Sequence, residues 1–291
     1  LEGFAETDIE KRKNPLLTMA EAKSIIVLAK GYNKKISIKS DNELRGNISQ
    51  AAVGLDYHID IKNLFQNLVD ILLEFNDFKY MIFSDTGPLN DRAVALRAGI
   101  GKYGINHSVI NDDLGSKIFI GYMLTDLELK YNNESPKPCM SCGLCIKRCP
   151  MGAITSDKFY MEKCISYITQ KKGVLNEWEM KAIGTNLYGC DICQNVCPHN
   201  RLAPFEVLND IDQIMPKLEY ILSLSNSQFK NIYGKTAMGW RGKNIIKRNA
   251  VCALFNIGGP KAKEILENVI KSYDGIVKQQ AMSALENMRD F

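Results

Sequence analysis

Two cysteine-rich runs constrain this chain more than any other feature. The first run, CMSCGLCIKRCP, has the spacing CxxCxxCxxxCP, and the second run, YGCDICQNVCP, has the spacing CxxCxxxCP. Their members are Cys139, Cys142, Cys145 and Cys149, then Cys190, Cys193 and Cys197. A CxxCxxC loop winds round one cubane with three sulfurs facing inward, while the cysteine before the proline reaches a second cluster. The spacing therefore predicts two 4Fe–4S clusters in a bacterial ferredoxin-type arrangement.

The seven cysteines of these runs are one fewer than two clusters need. Cys164, in MEKCISYI between the runs, is the only other cysteine before Cys252. We therefore expect one cluster on Cys139, Cys142, Cys145 and Cys197, and the other on Cys149, Cys164, Cys190 and Cys193. Cys252 lies in the apolar helical pattern NAVCALFNI and is expected to be a buried small hydrophobe. Zinc ribbons and disulfides fit this spacing less well.

Composition sets the class of protein. The 291 residues are 45% apolar, enough for two or three domains with a sizeable core. No apolar run approaches the ~18 residues of a membrane span, so we expect no membrane association. Reduced thiols predict the cytoplasm. The net charge of +4 is compatible with nucleic acid but is weak evidence for it.

The fold class predicted from the sequence is α+β, in three consecutive domains. In residues 1–130, β-branched runs predict strands over 24–32, 79–85 and 117–126. Apolar residues at helical spacing predict helices over 59–75 and 91–101. These elements predict an N-terminal α/β or α+β domain for a cofactor. Because Leu1 stands in place of Met, we expect a piece of this domain to be missing.

The other two predicted domains are a ferredoxin-like double-cluster domain over 131–203 and a helical domain over 204–291. In the helical domain, RNAVCALFNIGG and KQQAMSALENM align at a fixed offset, with Ala250 over Ala281 and Ala253 over Ala284. A paired-helix repeat of this kind predicts a HEAT-like end.

A few polar residues are candidates for chemistry. Asp85 follows a predicted strand, where α/β sheets place ligand groups, although turn capping is the more common role of such an aspartate. Asp91 is expected only to begin a helix, and His58 to be structural. The basic stretch GWRGKNIIKR around Trp240 combines an aromatic ring with cations and suits RNA, or else is a solvated helix start.

With these residues in view, the chain resembles the epoxyqueuosine reductases, the cobalamin-dependent iron–sulfur enzymes of queuosine tRNA modification. The resemblance rests on DIEKR, GLDYH, SDTGPLNDRAVALRAGIG, GSKIFIGYMLTDLEL, CISYITQKKG and WRGKNIIKRNA together with both cysteine runs. It implies that reduced cobalamin attacks the epoxide at the tRNA wobble position, with the Asp of DTG, Asp85 here, as proton donor. The clusters would relay electrons from an external donor such as a ferredoxin or flavodoxin.

The resemblance also implies binding residues. Those for cobalamin are Arg12, Ser49, Asp85, Val109, Ile120, Ser166 and Asp191. Those for tRNA are Lys172, Trp240, Arg241, Lys243 and Arg248. A monomer is expected. The chain departs from the family pattern at Gln50, Ala51, Leu55 and Ile105, so two alternatives stay open: a dehalogenase-like corrinoid reductase for a small molecule, and a non-catalytic electron-transfer module.

Overall fold

The computed structural model describes residues 6–37, 41–132 and 134–288. The strands of this part are β1 (Ser24–Gly31), β2 (Lys34–Ile36), β3 (Asn47–Ile48), β4 (Tyr80–Phe83), β5 (Lys102–Tyr103), β6 (Val109–Ile110), β7 (Ile118–Thr125), β8 (Asn186–Tyr188) and β9 (Glu206–Leu208). Its helices are α1 (Ile9–Lys13), α2 (Tyr57–Leu73), α3 (Asp91–Arg97), α4 (Leu144–Arg148), α5 (Ile165–Ile168), α6 (Glu177–Ile183), α7 (Ile192–Asn195), α8 (Leu218–Ser223), α9 (Asn226–Tyr233), α10 (Lys243–Ile257), α11 (Gly259–Ser272) and α12 (Gly275–Asn287).

The chain folds into two units, each built from separate segments. The first unit comprises Leu1–Asn33, Tyr57–Leu144 and Val196–Phe205, and the second comprises Lys34–Asp56, Cys145–Asn195 and Glu206–Phe291. Neither unit coincides with one of the three consecutive ranges predicted from the sequence, because short strands from 34–48 pair within the second unit. Within the described residues, no helix is both long and apolar enough to cross a membrane.

A three-stranded sheet organises the first unit. β7 lies between β1 and β4 and runs antiparallel to both, so that Thr125 faces Ser24 on one side and Tyr80 on the other. The three strands predicted from the sequence are confirmed, with slightly shorter bounds. Their pairing corrects the α/β alternative for this domain, because parallel neighbours would need crossover connections. The antiparallel sheet agrees with the α+β class.

Side chains of β7 alternate between two apolar layers. Tyr122 and Leu124 pack with Leu89 on one face, whereas Met123 packs with α2 on the other. The buried residues of α2 are Ile61, Phe65 and Val69, one helical turn apart. Burying each of these side chains stabilises the unit by roughly 1.5–3 kcal/mol. The predicted helix over 59–75 is confirmed with a shift, since α2 begins at Tyr57 and ends at Leu73.

The second unit is built round α10. Ten consecutive residues of this helix, from Ile245 to Leu254, are buried, because it packs against α6, α8, α11, α12 and β8. α6 and α9 each begin with a capping box, formed by Asn176 with Glu179 and by Ser225 with Gln228. The unit is therefore a helical bundle with two short parallel strand pairs, one of which includes β8 and packs against α10.

The repeated sequence pattern in the C-terminal helices has a packing role. Ala250 and Ala253 of α10 and Ala281 and Ala284 of α12 are all fully buried, and the two helices pack against each other. Small residues at matching positions allow this close approach. The aligned alanines therefore mark a helix–helix contact, and the HEAT-like assignment stays a prediction.

Candidate functional site

Four cysteines of the second unit lie close together. They are Cys149, Cys164, Cys190 and Cys193, the set that the sequence predicted for one cluster. Burial raises the pKa of the Cys190 thiol to about 12, and the neighbouring thiols of Cys164 and Cys149 raise it further. The pKa of Cys193 is raised to about 12 by burial, again with these neighbours contributing. Thiols held this way lose their protons when a metal binds.

Local backbone structure directs N–H groups at these sulfurs. The Ala153 amide donates to Cys149 Sγ at 3.3 Å, just after α4. Cys164 directly precedes α5, and the backbone of Ser166 and Tyr167 partly offsets the rise of its thiol pKa that burial causes. The backbone of Ile192, the first residue of α7, has the same effect on the pKa of Cys190. Hydrogen bonds to sulfur are one of the features that set cluster potentials, so the environment of this set suits a cluster.

A cubane cluster differs in size from a single metal ion. In the described part of the chain, no three His, Cys, Asp or Glu side chains are arranged to hold one ion. All nine cysteines of the sequence are free thiols. Free thiols in the CxxCxxCxxxCP spacing fit a cluster better than they fit zinc.

The other predicted set is divided between the two units. Cys139, Cys142 and Cys197 belong to the first unit and Cys145 to the second, so this set stays a prediction. Cys252, by contrast, is confirmed as buried within α10. It serves as a natural control for the other cysteines.

Asp85 lies in the loop that follows β4. Its φ angle is +58°, a left-handed conformation in a non-glycine residue, which costs roughly 1–2 kcal/mol. The loop is fixed on β7, because the Leu89 amide donates to the Tyr122 hydroxyl at 2.9 Å. A Cβ atom at Gly87 would lie 2.3 Å from that same hydroxyl oxygen. The sequence DTG therefore encodes a tight loop with glycine required at its third position.

The carboxyl of Asp85 is 60% exposed and faces α2. His58 Nε2 lies 3.7 Å from Asp85 Oδ2. The pKa of Asp85 is lowered, first by the neighbouring His58 and further by Tyr57, against the opposing effect of burial. A proton donor was expected to have a raised pKa. In the protein without substrate or cofactor, the pKa of Asp85 is shifted in the opposite direction. A nearby carboxyl, that of Asp91, has its pKa raised to about 6 by burial.

An aromatic stack supports His58 in the first unit. The ring of Tyr57 stacks on His58 with centroids 4.1 Å apart and on Phe119 at 4.8 Å, and Phe119 stacks on Tyr32 at 4.4 Å. His58 was expected to be structural, and nothing in the sequence placed it beside Asp85. Its position follows from α2 packing against the sheet.

The predicted cobalamin residues of the second unit include one direct pair. The Ser49 hydroxyl donates to Asp191 Oδ1 at 2.6 Å, and the Gln50 amide donates to Asp191 Oδ2 at 2.7 Å. A Cβ atom at Gly189 would lie 2.5 Å from Ser49 Cβ, so the chain approaches closely here. Ser166 lies in α5, one residue after the first residue of that helix. Ser49 and Asp191 are thus held together next to Cys190, one of the predicted cluster ligands.

The other predicted cobalamin residues lie in the first unit. Ile120 is on β7, and its carbonyl accepts from the hydroxyl of Ser84, the neighbour of Asp85, at 3.2 Å. Val109 is buried in β6, so it offers mainly its backbone to a ligand. Arg12 lies half-buried in the last turn of α1. Asp85 and Ile120 are thus close neighbours through Ser84.

Trp240 and Arg241 form a stacked pair in a short 3₁₀ helix before α10. The Arg241 guanidinium lies 3.8 Å from the Trp240 ring centroid, and Trp240 Nε1 donates to the Tyr188 hydroxyl at 2.8 Å. Trp240 remains 49% exposed. Lys172 is exposed and Lys243 half-buried. A fixed aromatic face with a cation on it is a suitable platform for a nucleic-acid base.

Arg248 corrects one of the predicted RNA contacts. Its side chain has no solvent exposure. Its guanidinium donates to the carbonyls of Lys171 and Gly173 at 2.8 Å and to that of Thr169 at 3.2 Å. It also donates to Asn249 Oδ1. An arginine whose donors are used inside the protein fixes this loop on α10, and it does not present a charge to RNA.

Comparisons with known proteins identify the family. The family model "Epoxyqueuosine reductase QueG, DUF1730" matches residues 12–86, and the "4Fe-4S double cluster binding domain" matches residues 138–200. The epoxyqueuosine reductase of Bacillus anthracis is 40% identical over 92% of this chain and 73% of its own length. The chain belongs to the epoxyqueuosine reductase family. It is therefore an oxidoreductase of tRNA modification, which favours the first of the three functions considered from the sequence.

Solved structures of this family share the fold. A crystal structure of an epoxyqueuosine reductase with an epoxyqueuosine-modified tRNA-Tyr stem loop superposes with a TM-score of 0.91, at 34% identity over 100% of this chain and 80% of that one. A Bacillus subtilis epoxyqueuosine reductase, solved with its catalytic aspartate loop swung out of the active site, gives 0.89 at the same identity and coverage. The mixed helix and sheet fold is thus the family's fold.

Proposed function

We propose that the chain reduces epoxyqueuosine in tRNA to queuosine with cobalamin and two 4Fe–4S clusters. The observation that carries the proposal is the grouping of Cys149, Cys164, Cys190 and Cys193 in the second unit, within a chain of this family. Removing the epoxide oxygen as water takes two electrons and two protons. The clusters would pass the electrons singly from an external ferredoxin or flavodoxin.

The residues proposed to hold cobalamin are Arg12, Ser49, Asp85, Val109, Ile120, Ser166 and Asp191. Hydroxyl, carboxylate and backbone groups of this kind suit the amide side chains round a corrin, and the Ser49–Asp191 pair is already aligned. When bound, cobalamin would supply the reducing chemistry at the epoxide carbon. The chain itself would position the cofactor and the substrate and would supply a proton to the epoxide oxygen.

Asp85 is proposed to give its proton to the epoxide oxygen as the carbon–oxygen bond breaks. To do so it must bind a proton near neutral pH, whereas in the protein alone its pKa is lowered. Exclusion of water by bound RNA and cofactor would raise the pKa, because burial already opposes the effect of His58. His58, 3.7 Å away, is placed to pass a proton back to Asp85.

The test is direct conversion of the substrate. Protein reconstituted with iron, sulfide and cobalamin is mixed under reducing conditions with tRNA that carries epoxyqueuosine, and the nucleosides are then separated. Queuosine should form with the wild type, and its absence from fully loaded protein would contradict the proposal.

The Asp85→Asn variant separates binding from chemistry. It should bind tRNA and cobalamin as the wild type does and lose turnover by a factor of about 100 or more, since a positioned acid contributes about 10²–10⁴. Asp113→Asn, an exposed turn residue of the same unit, is the matched control and should keep full activity. Full activity in Asp85→Asn would reject Asp85 as the proton donor.

The RNA surface is proposed to include Trp240, Arg241, Lys172 and Lys243. The stacked pair would receive a base, and the lysines would contact phosphates. The free thiols of the chain support a reducing compartment such as the cytoplasm.

A further inference from the structure

We propose that Asp91 is a positioning residue, whose carboxylate holds the backbone of Asp85 in the left-handed turn that presents the Asp85 carboxyl to His58. This inference rests on the proposed role of Asp85. Asp91 was expected from the sequence only to begin α3.

The first observation is a contact from α3 to the loop. The amide of Asp85 donates to Asp91 Oδ2 at 2.5 Å. Asp85 is the residue with the positive φ angle, so this bond acts on the one strained peptide of the loop. A conformation of this kind persists only where the surroundings hold it.

The second observation concerns the other oxygen of the Asp91 carboxyl. Asp91 Oδ1 is buried and has no hydrogen-bond partner among the described residues. A buried carboxylate with one free oxygen is unfavourable. The cap of α3 does not require it, because Asn90 already caps the helix by accepting from the Ala93 amide. Apart from the favourable charge of an acidic residue in the first turn, the hydrogen bond to the Asp85 amide is the contact that this carboxylate makes in the described residues.

The charged form of Asp91 makes the stronger acceptor. Burial raises its pKa to about 6, so the carboxylate predominates at neutral pH and becomes protonated as the pH falls through that value. The groups facing it are Asp85 in the loop, Arg92 on its own helix and Tyr122 on β7, while His58 of α2 faces Asp85. Protonation of Asp91 replaces a charge-assisted bond to the Asp85 amide by a weaker neutral one.

The test uses hydrogen–deuterium exchange of the peptide that covers residues 84–90 in the whole protein. Asp91→Ala should raise its exchange about tenfold, as expected for one lost charge-assisted bond. Asp91→Asn, which keeps an acceptor oxygen, should restore most of the protection. Asp113→Ala, with the same change of charge, should leave the peptide unchanged. Peptides from β7 report whether the unit is still folded.

Two further measurements separate positioning from a merely structural role. Turnover of Asp91→Ala should fall about tenfold while the tRNA Kd stays within about twofold, since a misplaced acid affects the chemical step and not binding. In the wild type, exchange of the 84–90 peptide, corrected for its intrinsic pH dependence, should increase from pH 7.5 to pH 5.5. In Asp91→Asn it should stay flat, and any change that persists there belongs to other groups.

The outcomes are distinguishable. Unchanged exchange in Asp91→Ala overturns the proposal, and so does raised exchange with full turnover. If the wild type fails to convert the tRNA, the proposed function fails, while the exchange experiment still decides whether Asp91 holds the loop.

Discussion

At the scale of single residues, two side chains of the same charge can have different roles around one loop of this protein. Asp85 and Asp91 lie in one short segment, yet the pKa of the first is lowered by the neighbouring His58 and that of the second is raised by burial. Pairs of carboxyls whose pKa values are pushed apart are common where proton transfer takes place. The pattern therefore agrees with the proposed division of roles, in which Asp85 gives the proton and Asp91 holds the loop.

Arg248 gives a residue-scale prediction about stability. Arg248→Ala should lower the free energy of unfolding by about 3 kcal/mol or more, because three backbone carbonyls lose their donor and a cavity is left. The measurement is the unfolding midpoint of the reconstituted protein. Lys243→Ala, in the first turn of the same helix, should change it by less than about 0.5 kcal/mol. Equal stability of the two variants would show that the buried guanidinium is not structural.

The failure to foresee this role has a physical reason. In GWRGKNIIKRNA the cations form one basic stretch of sequence. A charged side chain is expected in solvent unless the sequence indicates a partner for it. The partners of Arg248 are carbonyls of residues 169–173, more than seventy residues earlier in the chain. Likewise, only the packing of α2 on the sheet brings His58 to Asp85. Sequence patterns show spacing along the chain, whereas these contacts depend on tertiary structure.

At the scale of elements, the strongly patterned segments were predictable. The predictions of β1, β7 and the amphipathic helix α2 are confirmed. A hydrophobic period of two or of 3.6 residues can be recognised in the sequence without tertiary information. The antiparallel order β1–β7–β4 was not predicted, because strand order depends on how loops cross. The grouping of Cys164 with Cys149 followed from counting thiols and agrees with their proximity in the second unit.

Cysteine substitution tests this grouping. Reconstituted wild type should carry about eight irons, from two cubanes, and Cys164→Ala about four. Cys252→Ala is the matched control, because that thiol is buried in α10, and it should keep about eight. The measurement is iron per protein together with the cluster absorbance. A Cys164→Ala protein that still holds eight irons with unchanged spectra would remove Cys164 from the ligand set.

At the scale of the whole molecule, net charge alone cannot account for RNA binding. A balance of +4 over 291 residues gives little long-range attraction, so affinity for tRNA must come from a local group of cations and from stacking. Trp240 and Arg241 are the proposed stacking face, and Lys172 and Lys243 are the proposed phosphate contacts. Removing Arg248 from this group leaves a smaller RNA surface than the sequence suggested.

The salt dependence of tRNA binding measures how large that surface is. Replacing Lys172 and Lys243 together by alanine should weaken binding and reduce the slope of log Kd against log salt by about 1 per lysine. Lys130 and Lys271 are exposed lysines outside the proposed surface, and the same double substitution there should leave the slope unchanged. If both double variants behave alike, the attraction is spread over the molecule and the local surface is wrong. If only the first loses slope, Lys172 and Lys243 neutralise phosphates of the RNA, because each released counterion is counted once in the slope.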